Sequence, residues 1–281
     1  MPRSSLADAR RRSLGLGPAV TSITMSVGHW IQNARRRLRP GDVVRKGIGD
    51  FVTSIDVRAE RRLRRELGRL APDAGFVGEE TGSAGFDRDW VWVVDPVDGT
   101  SNFAHGLPHH AVSVALLWRG HPVLACLHCF PENAIYRAIS GAGAFRGTRR
   151  IRIPRGRLDD GAIVGVQWHR GQQRLPLLPR IQAAGARIRT FGCTVVQLAD
   201  VACGRLDANV QEQGRVWDIA AAGLVVTESG GRFTAWNGDP VFPFANLDIG
   251  HTATIAAAPL VHAQLVGRLR GCRPGAVVPT T

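Results

Sequence analysis

Two aspartates three residues apart, Asp95 and Asp98, stand in the run Asp95-Pro96-Val97-Asp98-Gly99-Thr100-Ser101-Asn102. The first ends an apolar strand pattern from Trp90 to Val94, and strand ends are where α/β proteins present functional side chains. Pro96 stiffens the turn. Gly99, Thr100 and Ser101 have the composition of a helix start whose free backbone N–H groups face an anion. Carboxylates beside such a helix end would repel a phosphate. A divalent cation resolves the conflict, with protein oxygens on one side and phosphate oxygens on the other. Two carboxylates about 4 Å apart repel by about 4 kcal/mol at an effective dielectric of about 20, so the cluster is costly when empty and favourable when filled.

Other acidic residues fall at comparable places. Glu79 follows Gly78 after a short strand pattern at Phe76-Val77, and Asp218 follows Trp217 ahead of an apolar helix, where it could serve as an N-cap. Asp56, after Asp50-Phe51-Val52-Thr53-Ser54-Ile55, stands at the start of another helix. An Asx turn or a cap explains any one of them. Four segments that each place a carboxylate at an element end point to one metal-assisted site.

The elements that must position these groups are legible from periodicity. Val20, Ile23, Val27, Trp30, Ile31, Ala34 and Leu38 recur at helical spacing. That stripe predicts a helix packed on the core, rather than an export signal led by Arg10-Arg11-Arg12, and so a cytoplasmic protein. A second helix runs from Val57 to Leu70, with Leu63, Leu67 and Leu70 inward and arginines outward. Trp90 to Val94 reads as a strand buried on both faces that stops at Asp95. Ala111–Leu117 and Val123–Phe130 follow as strands, and Pro154–Gly161 is the seam between two halves. Beyond it, strands near Ala162–Val166, Arg187–Thr190 and Asp207 alternate with helices at Leu177–Ala184, Thr194–Ala202 and Asp218–Ser229. This mixture reads as layered α/β or α+β.

Composition sets outer bounds. Apolar residues make up 44% and charged residues 21%, the balance of a globular protein with a sizeable core, and no apolar run approaches the roughly 20 residues needed to span a bilayer. A formal charge of +13 favours anionic partners. Lys46 is the only lysine, so the excess is otherwise arginine. The cysteines number 5, an odd count that speaks against a disulfide framework. Cys126 and Cys129 have metal-like spacing, but in a strand that offset sends the thiols to opposite faces.

The segments from Lys46 to Asp56, Gly78-Glu79-Glu80, Trp92 to Phe103 and Trp217-Asp218-Ile219-Ala220-Ala221-Ala222-Gly223 resemble, in order and spacing, the inositol monophosphatase family of magnesium-dependent, lithium-sensitive sugar phosphatases. The resemblance runs from about Val20 to the C-terminus. It implies one phosphatase domain of α+β type, a layered α-β-α-β-α sandwich, with an N-terminal lobe of about 1–153 and a C-terminal lobe of about 154–281. It also implies that Glu79, Asp95 and the Val97 carbonyl hold one Mg²⁺, that Asp95, Asp98 and Asp218 hold a second, and that Glu79 with waters holds a weaker third. Gly99 and Thr100, with Ser101, would cradle the phosphate. Thr100 with Asp56, or Glu79, would orient the metal-activated water for in-line attack. Lys46 falls on the lysine of the motif, and a homodimer is implied.

Two places depart from the family pattern. The acidic residue that reads the polyol normally lies seven residues before the Trp-Asp aspartate; Gln211 has that position and Glu212 comes one residue later. Gly192-Cys193-Thr194 falls where the family contacts the substrate ring, with Cys193 an unusual choice. His109 and His110 are read as structural. The expected reaction is Mg²⁺-dependent hydrolysis of inositol monophosphate or a similar polyol or sugar phosphate. Histidinol phosphate, fructose 1,6-bisphosphate and a 3′-phosphorylated nucleotide are alternatives. A different class, an RNA-binding or regulatory protein on the same fold, is suggested by the charge and by Arg58, Arg61, Arg62, Arg65 and Arg69.

Overall fold

Ser5 and Asp8 form a reciprocal capping box, the Ser5 N–H donating to the Asp8 carboxylate at 3.0 Å, and this opens α1 (Leu6–Arg35). The computed structural model describes residues 5–37, 43–47, 50–167, 177–245, 247 and 252–271, with backbone only for 43–47 and 50–53. The helix begins well before the Val20 stripe, because Ala9 and Ser13 are buried as well and Arg12 is tied to Asp73 by two bonds of 2.7 and 2.6 Å. Val20, Val27 and Ile31 are buried as the stripe predicts, with Ile23, Trp30 and Ala34 packed beside them; Leu38 lies outside the described residues. A two-stranded hairpin, β1 (Val43–Gly47) and β2 (Asp50–Thr53), leads into α2 (Ser54–Leu70). That helix buries Ile55, Ala59, Leu63 and Leu67 and exposes Arg58, Arg61, Arg65 and Arg69.

The next elements are β3 (Gly75–Gly78), β4 (Gly82–Ala84), β5 (Trp90–Asp98), α3 (Thr100–His105), β6 (Ala111–Trp118), β7 (His121–Cys129), β8 (Ala134–Ile139), β9 (Gly143–Arg146) and β10 (Arg149–Ile151). Their strands form an 8-stranded sheet in the order β10-β9-β8-β7-β6-β5-β3-β4, in which only β3 and β5 pair in parallel. Alternation splits the buried strands between two cores. Trp92, Val94, Leu116 and Cys126 pack under α1 and α2, while Val91, Val93, Leu117, Leu127 and Cys129 face the other way. Cys126 and Cys129 therefore lie on opposite faces, as their spacing predicts, and cannot share a metal.

The remaining elements are β11 (Ile163–Gln167), α4 (Leu177–Gln182), β12 (Arg187–Arg189), α5 (Thr194–Cys203), β13 (Ala208–Gly214), α6 (Val216–Glu228), β14 (Arg232–Ala235), β15 (Thr252–Ala257) and α7 (Pro259–Leu269). The second sheet has 5 strands in the order β12-β11-β13-β15-β14. Helices α5 and α6 lie between the two sheets, which is why α6 is apolar all round, with Ile219 through Val226 buried. α4 and α7 cover the far face. The result is a layered α-β-α-β-α fold of α+β class. No helix among the described residues is long and apolar enough to cross a membrane.

One contact fixes α1 on the sheet. A Cβ at Gly28 would lie 2.2 Å from Nδ1 of His128, a buried ring held by Asn133 at 2.8 Å. Gly28→Ala should therefore lower stability by about 1–2 kcal/mol, because overpacking outweighs the gain in helix propensity. A denaturant titration measures it, and an unchanged or raised midpoint would show that the contact relaxes freely.

Candidate active site

The parallel pairing of β3 with β5 matches Gly78 with Val94, so the residues that follow, Glu79 just past β3 and Asp95 within β5, stand side by side. Asp95 is buried, and its Oδ1 accepts the Val97 N–H at 2.9 Å. Burial raises its pKa well above the carboxylate range, and the charges of Glu79, Asp98 and Asp218 raise it further. β5 does not stop at Asp95 as the apolar pattern predicts. It continues to Asp98 through a register shift against β6 between the two aspartates. A plain strand would send them to opposite faces, as it does Cys126 and Cys129; the bulge at Pro96-Val97 re-aims Asp98 so that both converge with Asp218.

Each of the other two aspartates is tied to a helix start. Asp98 does for α5 what its own N-cap, Cys193, does not: Oδ2 accepts the Val195 N–H at 2.6 Å and the Cys193 thiol at 3.0 Å. Burial raises the Asp98 pKa, while these donors and the N–H groups of Gly99 and Thr194 oppose the rise. Asp218, read from the sequence as a metal ligand, could also serve as an N-cap. The helix in fact begins earlier, with Arg215 in the cap position, and Asp218 sits in the first turn, accepting the Arg215 N–H at 2.8 Å. Burial and the Asp98 charge push its pKa up to about 8. Ligand atoms of Asp95, Asp98 and Asp218 lie within 4.8 Å of one another.

The phosphate-cradle segment follows directly. Gly99, at φ 84°, precedes α3, and a Cβ there would come within 2.7 Å of the His109 carbonyl. Only glycine fits this left-handed, crowded position. The Thr100 hydroxyl lies 2.9 Å from the Val97 carbonyl and 3.4 Å from the Asp56 carboxylate. With one proton to give, it favours the nearer acceptor. Ser101 is half-buried beside it. Asn102 is a positioning group whose role the sequence did not reveal: its amide donates to the carbonyls of His109 and Phe191, both at 2.7 Å, joining the loop after α3 to the loop before α5.

The remaining expectations fare unevenly. Asp56 is buried on α2 next to Thr100. Lys46 lies on β1, and its side chain is outside the described residues; the adjoining strand β2 runs against α3. The segment from Gly192 to Thr194 lies against the cluster, with the Gly192 carbonyl beside Gly99 and the start of α5 on Asp98. Cys193 is fully buried with its thiol on the Asp98 carboxylate. Gln211 is buried with its amide donating to the Gln213 carbonyl at 3.0 Å, beside Gly214. Glu212 is also buried, neither carboxylate oxygen has a partner, and burial alone raises its pKa to about 7. His110 is neutral and structural, its pKa pushed to about 4 by burial, with the Gln32 amide at 2.9 Å. His109 stacks on Phe191 at 4.8 Å.

Oxygen ligands only, crowded until their pKa values rise, fit a hard divalent cation such as Mg²⁺ and not a thiolate-seeking metal. Fold and site thus define a layered α+β protein with an acidic cluster that could hold a metal beside a glycine-opened turn. A sequence profile of the inositol monophosphatase family matches residues 18–272. The chain is 36% identical over 239 residues to an inositol-1-monophosphatase of Caulobacter vibrioides, covering 81% of this chain and 90% of that one. It is 35% identical over 211 residues to the Nus factor SuhB of Xylella fastidiosa, covering 73% and 76%. The structure of an IMPase from Thermotoga maritima superposes with a TM-score of 0.79 at 29% identity, covering 89% of this chain and 94% of that one. The chain belongs to the inositol monophosphatase family.

The raised pKa values have a measurable consequence. Asp218 moves from 3.8 to about 8 on folding, so the folded protein holds a proton that the unfolded chain has released. That contribution is present at low pH and lost as pH rises through about 8. Glu212, raised to about 7, acts in the same sense. Protein stripped with EDTA should lose stability progressively between about pH 4 and 8, and Mg²⁺ should flatten the profile by replacing protons at the aspartates. Thermal melts with and without Mg²⁺ test this; parallel curves would show that no cation occupies the cluster.

Proposed function

We propose that this chain is a Mg²⁺-dependent phosphomonoesterase acting on inositol monophosphate or a similar polyol or sugar phosphate. The convergence of Asp95, Asp98 and Asp218 within 4.8 Å, beside the Gly99-Thr100 turn, carries the reading. Glu79, Asp95 and the Val97 carbonyl would hold one Mg²⁺, and Asp95, Asp98 and Asp218 a second. Bound there, Mg²⁺ supplies Lewis acidity to phosphoryl oxygens and lowers the pKa of water. The protein's own part is positional. Gly99 and Thr100, with Ser101 beside them, would cradle the phosphate. Glu79, or Thr100 backed by Asp56, would orient the attacking water. Lys46 would add a compact positive charge at the same mouth.

Within this class the substrate alcohol is open, because the position that reads the polyol in the family holds Gln211, a neutral amide, with Glu212 one residue later and its carboxylate without a hydrogen-bond partner. Histidinol phosphate, fructose 1,6-bisphosphate and a 3′-phosphonucleotide belong in the same substrate panel. A second reading rests on Arg58, Arg61, Arg65 and Arg69, which form one exposed stripe on α2, and on relatives named Nus factor SuhB. In that reading the stripe contacts the phosphates of RNA, and affinity falls steeply with salt.

Phosphate release from myo-inositol 1-phosphate is the direct test. Turnover should require Mg²⁺, disappear with EDTA and be inhibited by lithium. Asp95→Asn keeps an oxygen for the Val97 N–H while removing a crowded charge. It should abolish turnover and leave the metal-free melting temperature unchanged or raised. Retained turnover in Asp95→Asn would overturn the assignment.

A further inference from the structure

Glu60 is completely buried on α2, one turn after Asp56 and on the same face of the helix. Its carboxylate reaches the turn that follows β3. One oxygen accepts the Glu80 N–H at 2.7 Å; the other accepts the Thr81 N–H at 2.7 Å and also the Thr81 hydroxyl. The strand comes as close from the other side. A Cβ at Gly78 would lie 2.5 Å from the Glu60 carboxyl carbon, so residue 78 must be glycine for the carboxylate to sit where it does. Glu79 lies between the two contacts. Arg64, from the next turn of α2, donates to the Thr81 hydroxyl at 3.0 Å and stacks over Phe76 of β3.

We propose that Glu60 is a positioning residue for Glu79, fixing the direction in which that carboxylate leaves β3 and thereby setting cation affinity. The proposal rests on the reading of Glu79 as a cation ligand. Three donors converge on Glu60, and a carboxylate accepts all three while offering none; a glutamine would have to turn its NH₂ toward one of them. Asp56 and Glu60 make α2 a spacer. One carboxylate faces Thr100 at the start of α3 and the other holds the Glu79 turn, so one helical repeat of about 6 Å sets the separation of the two halves of the site.

Calorimetric Mg²⁺ titration of the full chain tests this without a substrate. Glu60→Gln should weaken Mg²⁺ by about 10–100-fold, as loss of a group that orients a metal ligand does. In a Glu79→Gln background the same change should add less than about twofold, because the group it orients has gone. Unchanged affinity in Glu60→Gln, or an equal loss in both backgrounds, would overturn the proposal. If Glu60→Gln does not fold, Thr81→Val carries the test: it removes one donor and should weaken Mg²⁺ when Glu79 is present but not in Glu79→Gln. Wild-type protein that binds no Mg²⁺, or binding untouched by Asp95→Asn, would overturn the assigned function as well. Normal binding that is lost in Asp95→Asn but kept in Glu60→Gln overturns only the role of Glu60.

Discussion

Mutual repulsion among crowded carboxylates, one buried and two half-buried, is the constraint on which this structure depends. Asp95, Asp98 and Asp218 bring their oxygens within 4.8 Å in a region where burial alone disfavours charge. Such a group survives in a folded chain only if its surroundings supply positive potential and fixed donors. Two helix starts provide both. α5 points its first N–H groups at Asp98, and α6 carries Asp218 in its first turn, so each partial positive end of a helix dipole lies against a carboxylate. The remaining imbalance is what a divalent cation would neutralise.

The layered frame follows from that need. For two helix starts to meet the end of β5, the helices must run between the sheets rather than cover an outer face. A helix in that layer is enclosed on every side. Helix α6 meets this with an unbroken apolar run, and with Gly223 where Phe233 and Phe242 come within 2.8 Å of its would-be Cβ. α1 and α2 close one outer face, and α2 reaches the site through its two buried acidic residues while its exposed side carries arginine. Charge segregates across one helix.

Much of this was legible from residue order. The strand pattern at Trp90–Val94, the α1 stripe and the helices after the seam all appear where periodicity places them, because the hydrophobic pattern records which faces are buried. The beginning of α1 was hidden by its arginines, though Ser5 and Asp8 carried a cap signal. The hairpin β1–β2, and everything after α6, offered only short patterns. The bulge in β5 could not be read, since Pro96 marks an irregularity without saying which way the next side chain turns.

The sequence by itself determined the family, the acidic segments and a layered mixture of strands and helices, because a motif of fixed residue types and a burial pattern are local properties of the chain; the five-layer arrangement came only with the family resemblance. Tertiary structure alone decided what each polar side chain faces. Cys193 is buried with its thiol on Asp98, a residue far from it in the chain. Asn102 joins two loops distant in the chain, and Glu60 meets residues 80 and 81 from another element. Gln211 and Glu212, neighbours in sequence, have unlike surroundings: the first lies beside Gly214, the second is a carboxylate without a partner. Hydrogen-bond partners of buried groups come from whichever elements the fold brings together, and sequence spacing carries no record of that meeting.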